Sequence, residues 1–156
     1  VTPKKTENSM QTDGWNSDHH RQAAPVLAEK NRVFTILVVE GSLSFEGFVG
    51  EFFKAGGHYI LRAASREDAL AQTREHKPDL ILLDNEMKDA LGLVLLPELL
   101  LEHASAAVVV MAGHPSVDEA VEAMKLGAVE YLERPLDPEK LRRAIETQKA
   151  LFKRQP

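Results

Sequence analysis

Cysteine is absent from the 156-residue chain, so neither disulfides nor thiolate metal sites can hold it together, and nothing demands an oxidising compartment. Long hydrophobic runs are missing too. The longest, Leu91–Leu101, is interrupted by Pro97 and reaches about half the ~20 residues a membrane span requires. No basic-then-apolar signal peptide opens the sequence. Positive charge is in deficit, with 19 Lys and Arg against 24 Asp and Glu for a formal net charge of −5. That balance speaks against a protein whose main task is gripping phosphate backbones. The basic residues near the end, Arg142, Arg143, Lys149, Lys153 and Arg154, suit a helix terminus whose cations complement the macrodipole. The expected address is the cytoplasm, with no membrane and no direct nucleic-acid contact.

What is present begins late. Residues 1–32 are polar, carry Pro3, Gly14 and Pro25, and show no sustained apolar period. Such a stretch buries too little apolar surface to offset its ordering entropy, so it is expected to be a flexible leader. His19–His20 lie in it without a third ligand nearby, which argues against a metal site. One domain with a real core fits in the remainder.

From Val33 onward, short apolar runs alternate with helical periods. Phe34–Val39 is an apolar, β-branched run closed by Glu40, and Leu80–Leu83 is closed in the same way by Asp84. Continuous apolar runs of this length match strands buried on both faces of a parallel sheet, and each delivers an acid to its carboxyl end. His58–Ala64, Ala106–Met111 and Val129–Leu132 complete five strands. Helices are predicted over Ser44–Ala55, Ala69–His76, Leu91–His103, Ser116–Leu126 and Glu139–Phe152. The second and fourth open on capping-box patterns, Ser65 with Asp68 and Ser116 with Glu119; the last opens on Asp137–Pro138. Pro97 removes a donor inside the third helix and should bend it.

Strands alternating with helices at this spacing imply right-handed crossovers and a parallel sheet covered on both faces. The loops leaving the strands' carboxyl ends should then bring Glu40, Asp84, Ala112 and Arg134 together. On local grounds Asp84 reads equally as the start of an Asp-Asn turn and as a functional acid.

These segments resemble the receiver domain of bacterial response regulators over about 120 residues. The stretch Met-Lys-Leu-Gly-Ala-Val-Glu-Tyr-Leu-Glu-Arg-Pro at 124–135, and Asp84-Asn85-Glu86-Met87 with Gly92 downstream, look most like receivers attached to sigma-54-dependent activators. The resemblance implies a flavodoxin-like α/β fold, (βα)5, a doubly wound five-stranded parallel sheet in strand order 2-1-3-4-5, with residues 33–153 as the receiver. It implies that Asp84 is the phosphoacceptor for a kinase histidine, and that the protein signals rather than acting as an enzyme. It also implies Mg²⁺, needed because a carboxylate attacking an anionic phosphoryl group requires a cation to neutralise and align the oxygens.

Several supporting positions depart from the family. The acid pair that recruits Mg²⁺ corresponds to Glu40 and Gly41, and Gly41 has no side chain to offer. Glu40, Asp84 and the backbone carbonyl of Glu86 remain, so metal binding is expected to be weak or lost. The phosphoryl-binding hydroxyl corresponds to Ala112, which cannot donate, and the lysine before proline corresponds to Arg134, a planar fork in place of a compact ammonium. Tyr131 matches the aromatic switch position. The expected function is therefore that of a degenerate receiver, a pseudo-receiver of a two-component or phosphorelay pathway. It would dock a sensor histidine kinase or another signalling protein, or a second copy, through the face made by the fourth helix, fifth strand and last helix. The alternatives are a conventional receiver phosphorylated at Asp84 and, from another class, a flavodoxin-like enzyme or nucleotide binder. The loop Glu40-Gly41-Ser42-Leu43-Ser44 lacks the glycine pattern that the last would need. No output segment follows the last helix, which suits either a stand-alone receiver or a piece of a larger regulator.

Overall fold

The computed structural model describes residues 33–41, 50–51, 54–87 and 92–153. The leader with His19–His20, and most of the helix expected over Ser44–Ala55, lie outside the described residues. Val33–Gln148 form one compact unit. The elements are β1 (Thr35–Val39), β2 (Tyr59–Ala63), α1 (Arg66–His76), β3 (Leu80–Asp84), α2 (Gly92–Glu102), β4 (Ala107–Ala112), α3 (Val117–Lys125), β5 (Glu130–Glu133) and α4 (Pro138–Lys153).

The five strands pair in parallel in the order β2-β1-β3-β4-β5, as the resemblance implied. The three central strands are buried almost throughout, which is why their sequences read as continuous rather than alternating apolar runs. Leu37, Val39, Ile81, Leu83, Val108 and Val110 form one core with Ala69 of α1, Leu95, Leu96 and Leu99 of α2, and Ala123 of α3. The alternate residues Ile36, Val38, Leu80, Leu82, Val109 and Met111 lie on the opposite face and are equally buried. Burying a side chain of this kind is worth about 1.5–3 kcal/mol, so these strands dominate the stability and fix where their last residues emerge.

The helix starts follow the local chemistry. Ser65 and Ser116 adopt extended backbone and accept hydrogen bonds from the N–H groups of Asp68 and Glu119. Asp137 does the same for Glu139 ahead of Pro138. α1 ends on Lys77, a non-glycine residue in the left-handed region with φ 47°, whose N–H returns to the Thr73 carbonyl. Charge pairs clip α1 to α2, Arg66 on Glu98 and Arg74 on Glu102. Pro97 lies inside α2, which continues through it.

Gly92, the first residue of α2, is required by a close approach. A Cβ there would stand 2.7 Å from the Asp84 carbonyl oxygen and 2.8 Å from Asn85 Cα. Only glycine lets the helix begin so near the end of β3.

Candidate functional site

Three strands deliver charge to one pocket at the carboxyl edge of the sheet. Glu40 follows β1, Asp84 ends β3, and Arg134 follows β5; the register of β4 with β5 sets Ala112 beside Glu133. The Arg134 N–H donates to the Ala112 carbonyl at 2.8 Å, and the Arg134–Pro135 peptide is cis. Asp84 and Glu40 are both buried, their side chains 8% and 5% exposed.

The Arg134 guanidinium lies across both acids. Its Nη1 donates to Glu40 Oε1 at 3.3 Å, and its Nη2 stands 3.6 Å from Asp84 Oδ2. The other Asp84 oxygen, Oδ1, accepts from the Glu86 N–H at 2.9 Å, closing a tight turn at the strand end. Asp84 is thus both the opener of a turn and a pocket acid, so the two local readings of it hold together. The fork supplies one hydrogen bond, to Glu40, and a charge contact to Asp84, placing a cation between two carboxylates that would otherwise face each other in a low-dielectric site.

Mg²⁺ demands near-octahedral oxygen ligation. Here the two available carboxylates already share a resident cation, and Gly41 adds no side-chain oxygen. Among the described residues no three His, Asp or Glu side chains gather in a metal-holding group. With Arg134 in this position the donor set does not fit a divalent ion.

Glu86 turns outward. Its Oε1 accepts from the His114 N–H and meets His114 Nδ1, each at 3.1 Å. The bond with the His114 side chain holds the Glu86 carboxyl below its ordinary range.

A second group of side chains sits on the other flank of Asp84. Asn85 is buried, and its N–H donates to the Met111 carbonyl at 2.9 Å. Its side chain accepts from the Leu93 N–H at 3.2 Å and donates through Nδ2 to Glu119 Oε1 at 2.9 Å. The other oxygen of that carboxylate, Oε2, accepts from the Tyr131 hydroxyl at 2.9 Å. The Ser116 N–H reaches the same hydroxyl at 3.4 Å. Burial first, and the bond to Glu119 second, push the Tyr131 phenol above its ordinary value.

Glu40, Asp84, Ala112 and Arg134 therefore meet, with Tyr131 on the adjoining flank. Sequence reasoning missed Asn85, Glu119 and His114. Asn85 is legible in the sequence as a turn residue and as part of the 84–87 motif, whereas its burial directly after a strand-end acid shows that its amide takes tertiary partners. Glu119 was expected to complete a reciprocal capping box; only the serine half forms, because the carboxylate points to Asn85 and Tyr131 instead. No local pattern marks His114.

Comparison with known proteins gives a consistent picture. Residues 36–146 match the family model of the response regulator receiver domain. The transcriptional regulatory protein ZraR of Salmonella typhimurium is 36% identical over 111 residues, covering 71% of this chain and 25% of that protein. The chain thus spans about a quarter of the length of the curated relatives it matches. The crystal structure of NtrX from Brucella abortus is 30% identical with a TM-score of 0.68, over 77% of this chain and 28% of that one. A Burkholderia pseudomallei response regulator, crystallised with a phosphorylated aspartic acid, calcium ion and citrate, is 26% identical with a TM-score of 0.68. It aligns over 76% of this chain and 69% of its own.

Proposed function

Because the chain belongs to the response regulator receiver domain family, we propose that it is a degenerate receiver of a two-component or phosphorelay pathway that works by docking rather than by turning over phosphoryl groups. The carrying observation is Arg134, which reaches Glu40 at 3.3 Å and Asp84 at 3.6 Å. A fixed cation across both acids supplies the counter-charge that a bound metal would otherwise bring. The pocket is held in one electrostatic state, and Asp84 acts as a structural acid. In this reading residues 33–153 are the receiver, residues 1–32 are a leader outside it, and the receiver is of the kind attached to sigma-54-dependent activators. Mg²⁺ is bound weakly or not at all.

Docking is assigned to the face of α3, β5 and α4. Val117, Val121 and Met124 recur at helical spacing on α3 and are 80%, 47% and 49% exposed. A stripe of apolar side chains presented to solvent supports a partner with an apolar surface. Arg142 and Arg143 on α4 supply the charge that this reading assigns to the face, Arg142 already bonded to Glu139 at 2.7 Å. The partner is a sensor histidine kinase or another signalling protein, or a second copy, in the cytoplasm. The acidic net charge argues against direct nucleic-acid contact.

A second reading keeps the chemistry: a receiver phosphorylated at Asp84. It is favoured by Asp84's place at the end of β3 with Oδ1 oriented by the Glu86 N–H, and by the Burkholderia relative's phosphorylated aspartate. Incubation with a small phosphodonor and Mg²⁺, followed by intact mass, separates the two. The docking reading expects no adduct. An adduct abolished by Asp84→Asn would establish the second reading instead. Charge reversal at Arg142 and Arg143 should weaken kinase or self-capture, mainly through association rate and salt dependence.

A further inference from the structure

Between the pocket and Tyr131, the end of β4 offers no polar side chain, since Ala112 is a buried alanine. A different route joins them. Asp84 Oδ1 holds the Glu86 N–H, so the conformation of the 84–86 turn depends on that carboxylate. Asn85 lies in the middle of the turn and is held on every side. Its backbone carbonyl accepts from Gly92, its side-chain oxygen from Leu93, and its N–H donates to Met111. The remaining side-chain donor goes to Glu119. A carboxylate only accepts, so Glu119 dictates that the Asn85 amide nitrogen and the Tyr131 hydroxyl hydrogen both point at it. The amide orientation is doubly determined, because Leu93 offers a donor where Glu119 offers an acceptor.

We propose that Glu119 is the positioning residue that couples the Asp84 pocket to Tyr131 in this chain, one carboxylate oxygen holding Asn85 and the other holding the Tyr131 hydroxyl. Its backbone N–H is committed to Ser116 Oγ at 3.1 Å, which anchors the carboxylate to the first turn of α3. A change in how Asp84 is engaged moves the turn, then Asn85, then Glu119. The start of α3 and the Tyr131 ring move with it. The relay thus links the acid pocket to the exposed stripe on α3. That consequence rests on the receiver reading, whereas the coupling itself does not.

The test is NMR of the whole chain, with perturbations applied at each end. Tyr131→Phe should shift the Asn85 side-chain amide resonances, and Asp84→Asn should shift the Tyr131 ring resonances. Both responses should vanish in Glu119→Ala. They should persist in reduced form in Glu119→Gln, which retains an acceptor for Asn85 while the Tyr131 phenol titrates at lower pH. A residue that served only to favour the start of α3 would leave both responses unchanged in Glu119→Ala, and that result overturns the proposal. Should Glu119→Ala fail to fold, the unfolding equilibria of Asn85→Ala, Tyr131→Phe and the double variant decide. Non-additivity of about threefold or more supports coupling through Glu119, and additive effects overturn it. No phosphodonor enters these measurements. Labelling of Asp84 would therefore refute the docking reading and leave the coupling intact, while responses that persist unchanged in Glu119→Ala would do the reverse.

Discussion

The two flanks of Asp84 are built from different interactions. On the side of β1 and β5, charge meets charge: Glu40, Asp84 and Arg134 form a buried cluster. On the side of α3, one carboxylate takes hydrogen bonds from an amide and a phenol, and each donor is well placed at 2.9 Å. The first flank holds Glu40 and Arg134, where the resemblance implies departures, and a guanidinium lies across its two acids. The second is a polar network whose members depend on one another. In the proposed reading the two flanks are separable: the first can be closed to binding chemistry while the second keeps its hydrogen bonds.

The largest expected effect breaks the first flank. Arg134→Ala leaves two buried carboxylates without their shared cation and should destabilise the fold by about 3 kcal/mol, measured by urea denaturation. A loss below about 1 kcal/mol would mean that solvation by water, rather than Arg134, stabilises the acids.

Gly92→Ala strikes the floor common to both flanks. The added methyl meets backbone atoms of Asp84 and Asn85, which cannot swing aside as a side-chain end would. A cost of about 2 kcal/mol is expected, with shifts in the NMR resonances of both flanks.

Opening the first flank sharpens the contrast from the opposite direction. Gly41→Asp alone should leave Mg²⁺ affinity nearly unchanged, because Arg134 still lies across the carboxylates. Combined with Arg134→Lys, which restores room beside them, it should raise affinity about tenfold in calorimetric titration. Equal gains from the single and double variants would show that the missing carboxylate, not Arg134, closes the site.

The smallest effect lies outside both flanks. His114 holds the Glu86 carboxyl below its ordinary range. The stabilisation is therefore present above the pKa of the unfolded carboxyl and lost as pH falls through the lowered folded value. Glu86 is 46% exposed, so His114→Ala should cost no more than about 0.5 kcal/mol at neutral pH. The difference between variant and parent should shrink in acid.

Much of this architecture was legible beforehand because it is set by short-range rules. Leu80–Leu83 could be recognised as a doubly buried strand from composition alone, and Ser65, Ser116 and Asp137 declared their helix starts through capping chemistry. The pocket acids followed, since a strand's last residue must emerge at the sheet edge. Glu119 escaped for the converse reason. Its local pattern specifies a bond to its own helix, and only the approach of β3 and β5 supplies better donors. Gly92 was noticed as part of a motif, but the backbone contact that demands glycine depends on where α2 lands.

The ion pair between Glu40 and Arg134 spans 94 residues of sequence. Closing a chain segment of that length costs about 4 kcal/mol of entropy, no less than the roughly 3 kcal/mol expected from the buried cluster. The pair cannot help to gather the sheet and must form after the strands between its partners are in place. During synthesis the pocket comes into being only when β5 has joined the other strands. A chain halted before Arg134 would carry Glu40 and Asp84 as an unneutralised pair. Joining of β5 to the sheet and engagement of the two acids by Arg134 are one event, so the pair marks chains whose sheet is complete.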